Sequence, residues 1–129
     1  MTLAEVRDWL KTLNLFSGYA IAKINGAQEN VLGVYSNEGA VRPVHALGGP
    51  SSYEITSIRL LVHGNKNANQ TQTLALALYS ALTDITGVDY EEHRIYYVDL
   101  RCTKPMPVGT DANGNYEFLI NADIYSNRR

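Results

Sequence analysis

The sequence predicts an α+β fold: a single domain in which two helices pack on a mainly antiparallel, twisted sheet. Two segments place apolar residues at helical spacing, and several others show the alternation or the short apolar runs typical of strands. These segments follow one another as helix, strands, helix, strands, an order typical of segregated α+β proteins. The 129 residues, 45% of them hydrophobic, suit one core, and no repeat or linker divides them, so we treat residues 1–129 as one domain.

The first helix is predicted over residues 3–14. Thr2 and Glu5 have the spacing of a capping box, in which two side chains satisfy free backbone amides at the start of a helix. The apolar positions that follow recur at helical spacing: Leu3, Val6, Leu10 and Leu13. Ser17 and Gly18 then end this segment.

Two short strands and a long loop are predicted next. Residues 19–24 form a strand that stops at the turn-forming pair Asn25-Gly26, and residues 31–35 form another. Residues 36–52 are rich in glycine and proline and show little periodicity, which predicts a loop with a strand fragment around residues 41–46.

The central strand and the second helix have the clearest patterns. Alternation over residues 53–63 places Ile58, Leu60 and Val62 on one face of a strand and Arg59, Leu61 and His63 on the other. Asparagines after residue 64 are suitable caps for a helix over residues 70–86, which Gly87 ends. The apolar surface of this helix is wider than one stripe, which indicates that it is covered on more than one side.

The last third of the chain predicts two more long strands. In the first, over residues 93–102, alternation places Tyr96, Val98 and Leu100 on one face and Ile95, Tyr97, Asp99 and Arg101 on the other. Prolines 105 and 107 interrupt the chain after it. A turn rich in Asp, Asn and Gly then leads into a strand over residues 116–124, whose alternate apolar side chains face the core.

Composition and charge exclude several classes of function. The formal net charge is −2, without the positive surplus that nucleic-acid binding needs, so we expect no specific DNA binding. The single cysteine, Cys102, excludes an intrachain disulfide and a Cys-rich zinc module. No stretch reaches the roughly 18 apolar residues of a spanning helix, and the start of the sequence, residues 1–8, lacks a basic segment followed by an apolar run. We therefore expect the chain to be neither exported nor membrane-inserted.

Few residue patterns indicate catalysis or cofactor binding. His45, His63 and His93 lack the close spacing of metal ligands, so we expect them to be solvated or to lie at strand ends. Cys102 is expected to be a small buried hydrophobe. We therefore predict no catalytic residue, no metal and no cofactor.

One alternative function stays open. Asp89, Glu91 and Glu92 cluster after the second helix and are candidates for a general acid and base pair. His93 ends this segment, and a Gly-Gly-Pro loop at residues 48–50 is expected beside it. The alternative is a small ligand-binding or hydrolytic domain that uses residues 89–93.

The second faces of the predicted strands indicate self-association. They mix apolar, aromatic and charged side chains, as protein interfaces do and solvent faces seldom do. The nine tyrosines, against two phenylalanines and one tryptophan, agree with this, because tyrosine suits surfaces where one end of the ring stays wet. The predicted interface residues are Arg59, Leu61, His63, Tyr97, Asp99, Arg101 and Tyr125.

Residues 107–125 resemble the closing hairpin of tailed-phage minor capsid and tail-terminator (tail completion) proteins. The shared pattern is a glycine, here Gly109, an acidic-Gly turn from Asp111 to Gly114, and a strand with Tyr116, Glu117, Asn121 and Tyr125 among apolar residues. The order of helices, strands and loops resembles that family over nearly the whole chain, as an N-terminal helix, a short meander, a long loop and a second helix between strands.

The resemblance implies a virion protein without enzymatic activity. Such proteins assemble as a ring, commonly a hexamer, on the end of the tail tube, stop its growth, and supply the face that joins the head connector. The implied partners are other copies of the chain, the tail tube protein and head connector proteins, with DNA passing through without specific binding. A closed ring needs two different patches on each subunit, and the two-sided sheet and the apolar surface of the second helix are candidates for that pair.

Overall fold

A computed structural model describes residues 1–37 and 53–127 of the chain. Within these residues the chain forms two helices and seven strands. In chain order they are α1 (Leu3–Lys11), β1 (Gly18–Ile21), β2 (Val31–Ser36), β3 (Tyr53–His63), α2 (Ala68–Thr83), β4 (Thr86–Tyr90), β5 (His93–Leu100), β6 (Met106–Thr110) and β7 (Tyr116–Asn127).

The strands form one mostly antiparallel and strongly curled sheet. Its order is β1-β2-β3-β7-β5-β4, and β6 pairs with the first part of β7 on the same edge as β5. β3 and β7 are the long central pair, antiparallel over the whole length of β3. The α+β class is confirmed, and the fold contains more sheet than the sequence patterns indicate.

Both helices pack on one face of this sheet. The buried apolar residues of the described chain form a single cluster, to which α1 contributes Val6, Trp9 and Leu10 and α2 contributes Ala75, Leu78 and Leu82. β3 and β7 supply alternate residues between them, as expected for a strand with one covered face. Burial of these side chains is the main force that holds the helices on the sheet.

Local side chains fix where each helix begins. Thr2 accepts a hydrogen bond from the Glu5 amide, and Glu5 accepts one from the Thr2 amide, so the predicted capping box is confirmed. Asn67 caps α2 by accepting a hydrogen bond from the Gln70 amide at 3.1 Å. No helix of the described residues is long and apolar enough to cross a membrane.

The first two strands differ from the predicted meander, because β1 and β2 are parallel. The turn at Asn25 is present, since the Gln28 amide donates to the Asn25 carbonyl. However, residues 22–30 return the chain to the end of the sheet where β1 began, and Ala22 and Asn30 adopt positive φ angles within that return. The strand fragment predicted at residues 41–46 lies outside the described residues.

Two strands, β4 and β6, are absent from the prediction. β4 begins at Thr86, inside the predicted second helix, because Asp84 already ends α2. β6 contains Pro107 and Gly109, which indicate a break in the chain. A strand forms there because β6 lies at an edge of the described sheet, where a residue without an amide hydrogen is tolerated.

A β-bulge in β5 overturns the predicted faces of that strand. Ile95 lies opposite Ser126 and Tyr97 lies opposite Tyr125, so two steps along β5 match one step along β7 and Tyr96 is the extra residue. Ile95 consequently faces the helices and is fully buried, on the same side of the sheet as Val98. The prediction that Ile95 shares a face with Tyr97 is therefore wrong, because strict alternation does not anticipate an inserted residue.

Candidate assembly surface

The sheet face opposite the helices is here called the second face. β3 and β7 give it their odd-numbered residues, and β5 adds Tyr97 and Asp99 opposite Tyr125 and Asp123. Arg101 joins it through its bond to Asp123. The residues of the interface prediction therefore all lie on this one face: Arg59, Leu61, His63, Tyr97, Asp99, Arg101 and Tyr125.

A groove lined by four tyrosines, here called the tyrosine groove, occupies one end of the second face. Its volume is about 390 Å³, and its walls are Tyr53, Tyr96, Tyr97 and Tyr125. The Tyr97 and Tyr125 rings stack with their centroids 4.4 Å apart, and Tyr125 stacks on Tyr53 at 5.8 Å. The bulge explains this concentration, since it lets the consecutive residues Tyr96 and Tyr97 both line the groove.

The outer rings of Tyr96 and Tyr97 reach solvent, whereas the central ring of Tyr125 is partly buried. Tyr96 is 40% exposed and Tyr97 is 45% exposed. Burial, hydrogen bonding to Tyr97, and the nearby carboxylates of Asp99 and Asp123 together raise the pKa of Tyr125 to about 12. Tyr125 therefore stays a neutral phenol at physiological pH, inside a surface that offers apolar ring faces to a partner.

A buried carboxylate lies at the middle of the second face. Asp123 is fully buried, and its two oxygens accept hydrogen bonds from Ser57 Oγ at 2.6 Å and Arg101 Nη1 at 2.8 Å. A buried charge of this kind is tolerated only when it is paired and hydrogen-bonded. Asp99, one strand away, is exposed and points to the same face.

The other end of the second face combines a basic and an aliphatic surface. Arg59 Nη2 donates to Asn37 Oδ1 at 3.3 Å. Beside it lies a shallow depression of about 310 Å³, which Leu61, Val108 and Leu119 line. Val108 is 55% exposed, the highest exposure among the large apolar side chains of the described residues. The second face thus has an aromatic end, with Asp99 beside it, and an aliphatic patch toward the other end, with Arg59 beside it.

His63 lies at the corner of the second face, under the turn between β6 and β7. It is buried, with Nδ1 2.9 Å from Glu117 and Nε2 3.5 Å from Asp111. Amide hydrogen bonds from Asn115 and Asn113, together with the nearby His63, keep the pKa of Asp111 below its ordinary 3.8, despite the opposing effect of burial. This corner stabilises the hairpin and presents little of His63 to a partner.

A comparison with known protein families covers most of the chain. A family model described as bacteriophage tail terminator protein matches residues 21–125, most of the chain and all of the interface prediction. The chain belongs to the tail terminator family. No curated protein matches it. The resemblance of the closing hairpin to tail terminators is thereby confirmed.

Membership of the tail terminator family defines the general role of the chain. The family consists of structural phage tail proteins and is not a family of enzymes. The chain is therefore a component of the virion with a structural role in the tail.

In this tail terminator, Asp89 and His93, the two ends of the segment in the alternative hypothesis, have separate partners. Asp89 is exposed and bound to Arg94 at 3.0 Å, on the hairpin of β4 and β5. His93 is buried, and its Nε2 lies 2.6 Å from Glu5 of α1. The two residues thus have different partners and lie on different strands, Asp89 on β4 and His93 on β5. The Gly-Gly-Pro loop at 48–50 lies outside the described residues.

The histidines differ in part from expectation. His63 ends β3 and His93 begins β5, so both lie at strand ends as predicted, but both are buried and neither is solvated. Each is matched to a carboxylate of another element, which strand periodicity alone does not reveal. Within the described residues, no group of three or more His, Cys, Asp or Glu side chains could hold a metal.

Several residues of the surface were missing from the interface prediction. Tyr53 and Tyr96 line the tyrosine groove, and Ser57 and Asp123 form the buried centre. The alternation of β3 and β7 alone places Tyr53, Ser57 and Asp123 on the second face, so these three positions could be predicted from the sequence. Tyr96 had no such signal, because only the bulge brings it there.

Proposed function

We propose that copies of this chain close into a ring, of six subunits as the family resemblance implies, on the end of the phage tail tube. The ring ends tube growth and offers a face to the head connector. It assembles in the host cytoplasm before the tail joins the head. The family and its structural tail role support a function in the tail, and the chemistry of the second face supports contacts between copies of the chain.

The observation on which the proposal mainly depends is the surface chemistry of the second face. A sheet face that only meets water presents polar residues, whereas this one exposes Tyr96 and Tyr97 at one end and Val108 toward the other. Exposed aromatic and aliphatic side chains within a polar surround are typical of protein interfaces. We assign the second face to contacts between neighbouring subunits.

The outer surface of α2 supplies a further contact on the opposite side of the sheet. The helix contains no charged residue over its 16 positions, although its exposed positions include Gln72, Thr73, Leu76 and Ser80. Leu76 is 45% exposed. A solvent-facing helix surface is normally charged, so we propose that this one contacts the tail tube or the head connector.

The net charge suits a ring through which DNA passes. Each chain carries a formal charge of −2, so six copies carry −12. Tight DNA binding depends on neutralising phosphates with lysine and arginine, and a chain without positive surplus supplies little of this attraction. DNA is therefore expected to traverse the ring without being retained.

The proposal is tested by growing tail tubes from purified tube protein with and without this chain. We expect the chain to shorten the tubes and to leave a ring at one end, visible by negative-stain electron microscopy. Tyr97→Lys places a charge in the tyrosine groove and should abolish both effects. Gln28→Lys adds the same charge at an exposed position away from the groove and should leave both unchanged.

Two results would contradict the proposal. Tubes of unchanged length, without added density at either end, would show that the chain does not cap them. Capping by single subunits, without a ring, would agree with a role in the tail but contradict the proposed self-association.

A further inference from the structure

Arg59 differs from the other arginines of the described residues because it has no carboxylate partner. Arg7 pairs with Asp8, Arg94 with Asp89, and Arg101 with Asp123. Arg59 is exposed, and within residues 1–37 and 53–127 it donates only to the neutral side chain of Asn37. Its charge therefore lies without a carboxylate partner from those residues, beside the aliphatic patch of the second face.

Asp99 is the acidic counterpart at the other end. It is exposed, forms no ion pair within residues 1–37 and 53–127, and lies beside the tyrosine groove, where its charge contributes to raising the pKa of Tyr125. Among the described residues, Arg59 and Asp99 are thus a cation and an anion of the second face without an ion-pair partner, each next to exposed apolar side chains.

These two charges do not meet within one chain. Arg59 lies on β3 opposite Asn121 of β7, whereas Asp99 lies on β5 opposite Asp123. Because β7 separates the two strands, their backbones are about 10 Å apart across the sheet, with a further offset of two residues, about 7 Å, along it. Arg59 also points toward Asn37, on the side away from β5.

We propose that Arg59 of one copy of this chain docks in the tyrosine groove of another copy, with its guanidinium against Asp99 and over the Tyr97 ring. The inference rests on the proposed function, because it names the contact through which neighbouring subunits of the ring join. A guanidinium over a tyrosine face gains a cation–π attraction, and a carboxylate beside it adds an ion pair.

A second copy of the chain is the occupant that the charges favour. Arg59 and Asp99 lie at different places on the second face, on β3 and β5, so every copy supplies both of the different patches that a ring contact needs. The apolar side chains beside Arg59, Leu61, Val108 and Leu119, lie where they can cover the exposed rings of Tyr96 and Tyr97. Opposite charges within apolar surroundings fix the register of such a contact.

Charge reversal tests this contact directly. The molar mass of the full chain is measured by light scattering over a concentration series, alone and after binding to preformed tail tubes. Arg59→Glu and Asp99→Arg each place like charges together, so each should raise the apparent dissociation constant of the assembly at least tenfold, about 1.4 kcal/mol.

A mixture of the two variants tests whether positions 59 and 99 contact each other. In an equimolar mixture, Glu at position 59 of one variant faces Arg at position 99 of the other, and the native Arg59 of the second faces the native Asp99 of the first. Every contact in an alternating assembly is then attractive, so the mixture should assemble although neither variant does alone. Recovery on mixing also shows that both variants are folded.

Matched controls carry the same charge changes elsewhere on the surface. Lys66→Glu precedes α2 and Asp84→Arg follows it, and both residues are exposed. Neither should change the molar mass of the assembled chain in solution.

The outcomes separate this inference from the proposed function. If the wild-type chain forms a ring and both charge reversals leave it intact, the proposed Arg59–Asp99 contact is wrong, whereas the proposed ring is not contradicted. Reversals that weaken assembly without recovery on mixing also overturn it. A wild-type chain that stays monomeric in solution and on tubes overturns both proposals.

Discussion

Tyr125 lies between two other tyrosine rings, and one of its neighbours, Tyr97, is the ring most open to a partner. The same side chains therefore serve the fold and the surface. Asp123 has a similar dual position, because its buried carboxylate orders Arg101 at the centre of the second face. Residue-scale predictions accordingly concern stability as much as assembly.

Replacing Tyr125 by leucine should cost more stability than replacing Tyr96 by leucine. Tyr125 loses ring contacts with both Tyr53 and Tyr97, each worth about 0.5–1.5 kcal/mol beyond buried area. Tyr96 is exposed and stacks on no other ring of the described residues. Urea unfolding of the two variants measures the difference, and equal losses would show that the stack contributes nothing.

The buried ion pair should respond unequally to loss of its two members. Arg101→Ala leaves the Asp123 carboxylate buried with only Ser57 as a partner, at a cost of about 2–4 kcal/mol. Asp123→Asn leaves Arg101, which is 41% exposed and can be hydrated, and should cost less. Chemical denaturation of both variants and of the double variant measures these losses in the free energy of unfolding. A larger loss for Asp123→Asn than for Arg101→Ala would contradict the prediction.

The stability of the β6–β7 hairpin over His63 should depend on pH because Asp111 titrates. The pKa of this carboxyl lies below 3.8 in the folded chain and near that value when unfolded, so folding favours the ionised form. Its contribution is present above the unfolded pKa and is lost as the pH falls through the folded pKa. The stability difference between the wild type and Asp111→Asn should therefore shrink from neutral to strongly acidic pH, and a difference independent of pH would exclude this role.

At this scale, sequence patterns predict which side of a strand a residue occupies better than what it binds. The faces of β3 and β7 follow alternation throughout, so Arg59, Leu61 and Tyr125 lie where they were expected. His63 and His93 are buried because Glu117 and Glu5 approach them from other elements. Such pairings depend on tertiary structure, and periodicity contains no information about them.

At the scale of elements, the end of β3 packs tightly against α2 at Gly64. Among the described glycines, this is the position with the least space for a Cβ. A Cβ at this position would overlap the Thr71 side chain, which accepts a hydrogen bond from the Asn65 amide and donates one to the Asn67 carbonyl. The end of β3 and the start of α2 can therefore lie side by side only with glycine here.

Gly64→Ala should destabilise the fold by about 1–3 kcal/mol, the usual cost of overpacking, and should loosen the first turn of α2. Gly18→Ala is the matched control, because its Cβ would meet only a Val31 methyl at 3.3 Å. Thermal unfolding with hydrogen exchange at the start of α2 measures both effects. Similar melting temperatures for the two variants would contradict this account of the junction.

The elements that sequence reasoning missed share a physical cause. β4 and β6 are five residues long and each contains a glycine with positive φ, so their patterns resemble turns. Pairing with β5 and β7 provides the hydrogen bonds that make them strands. The parallel pairing of β1 and β2 and the bulge at Tyr96 likewise depend on long-range register, which local propensity does not specify.

At the scale of the whole molecule, the chain separates its core from its contact surfaces. The helices and one sheet face form the core, and the second face and the outer side of α2 lie on opposite sides of the subunit. In the proposed ring, the two ends of the second face serve as the two different patches that neighbouring subunits need. The outer side of α2 is then left for the proposed contact with another virion protein.

Cryo-electron microscopy of tail tubes that carry this protein tests the central claim most directly. The account predicts a closed ring at the tube end in which the second face, with its tyrosine groove, is buried between adjacent subunits. A ring whose second faces are open to solvent, or isolated subunits at the tube end, would contradict it.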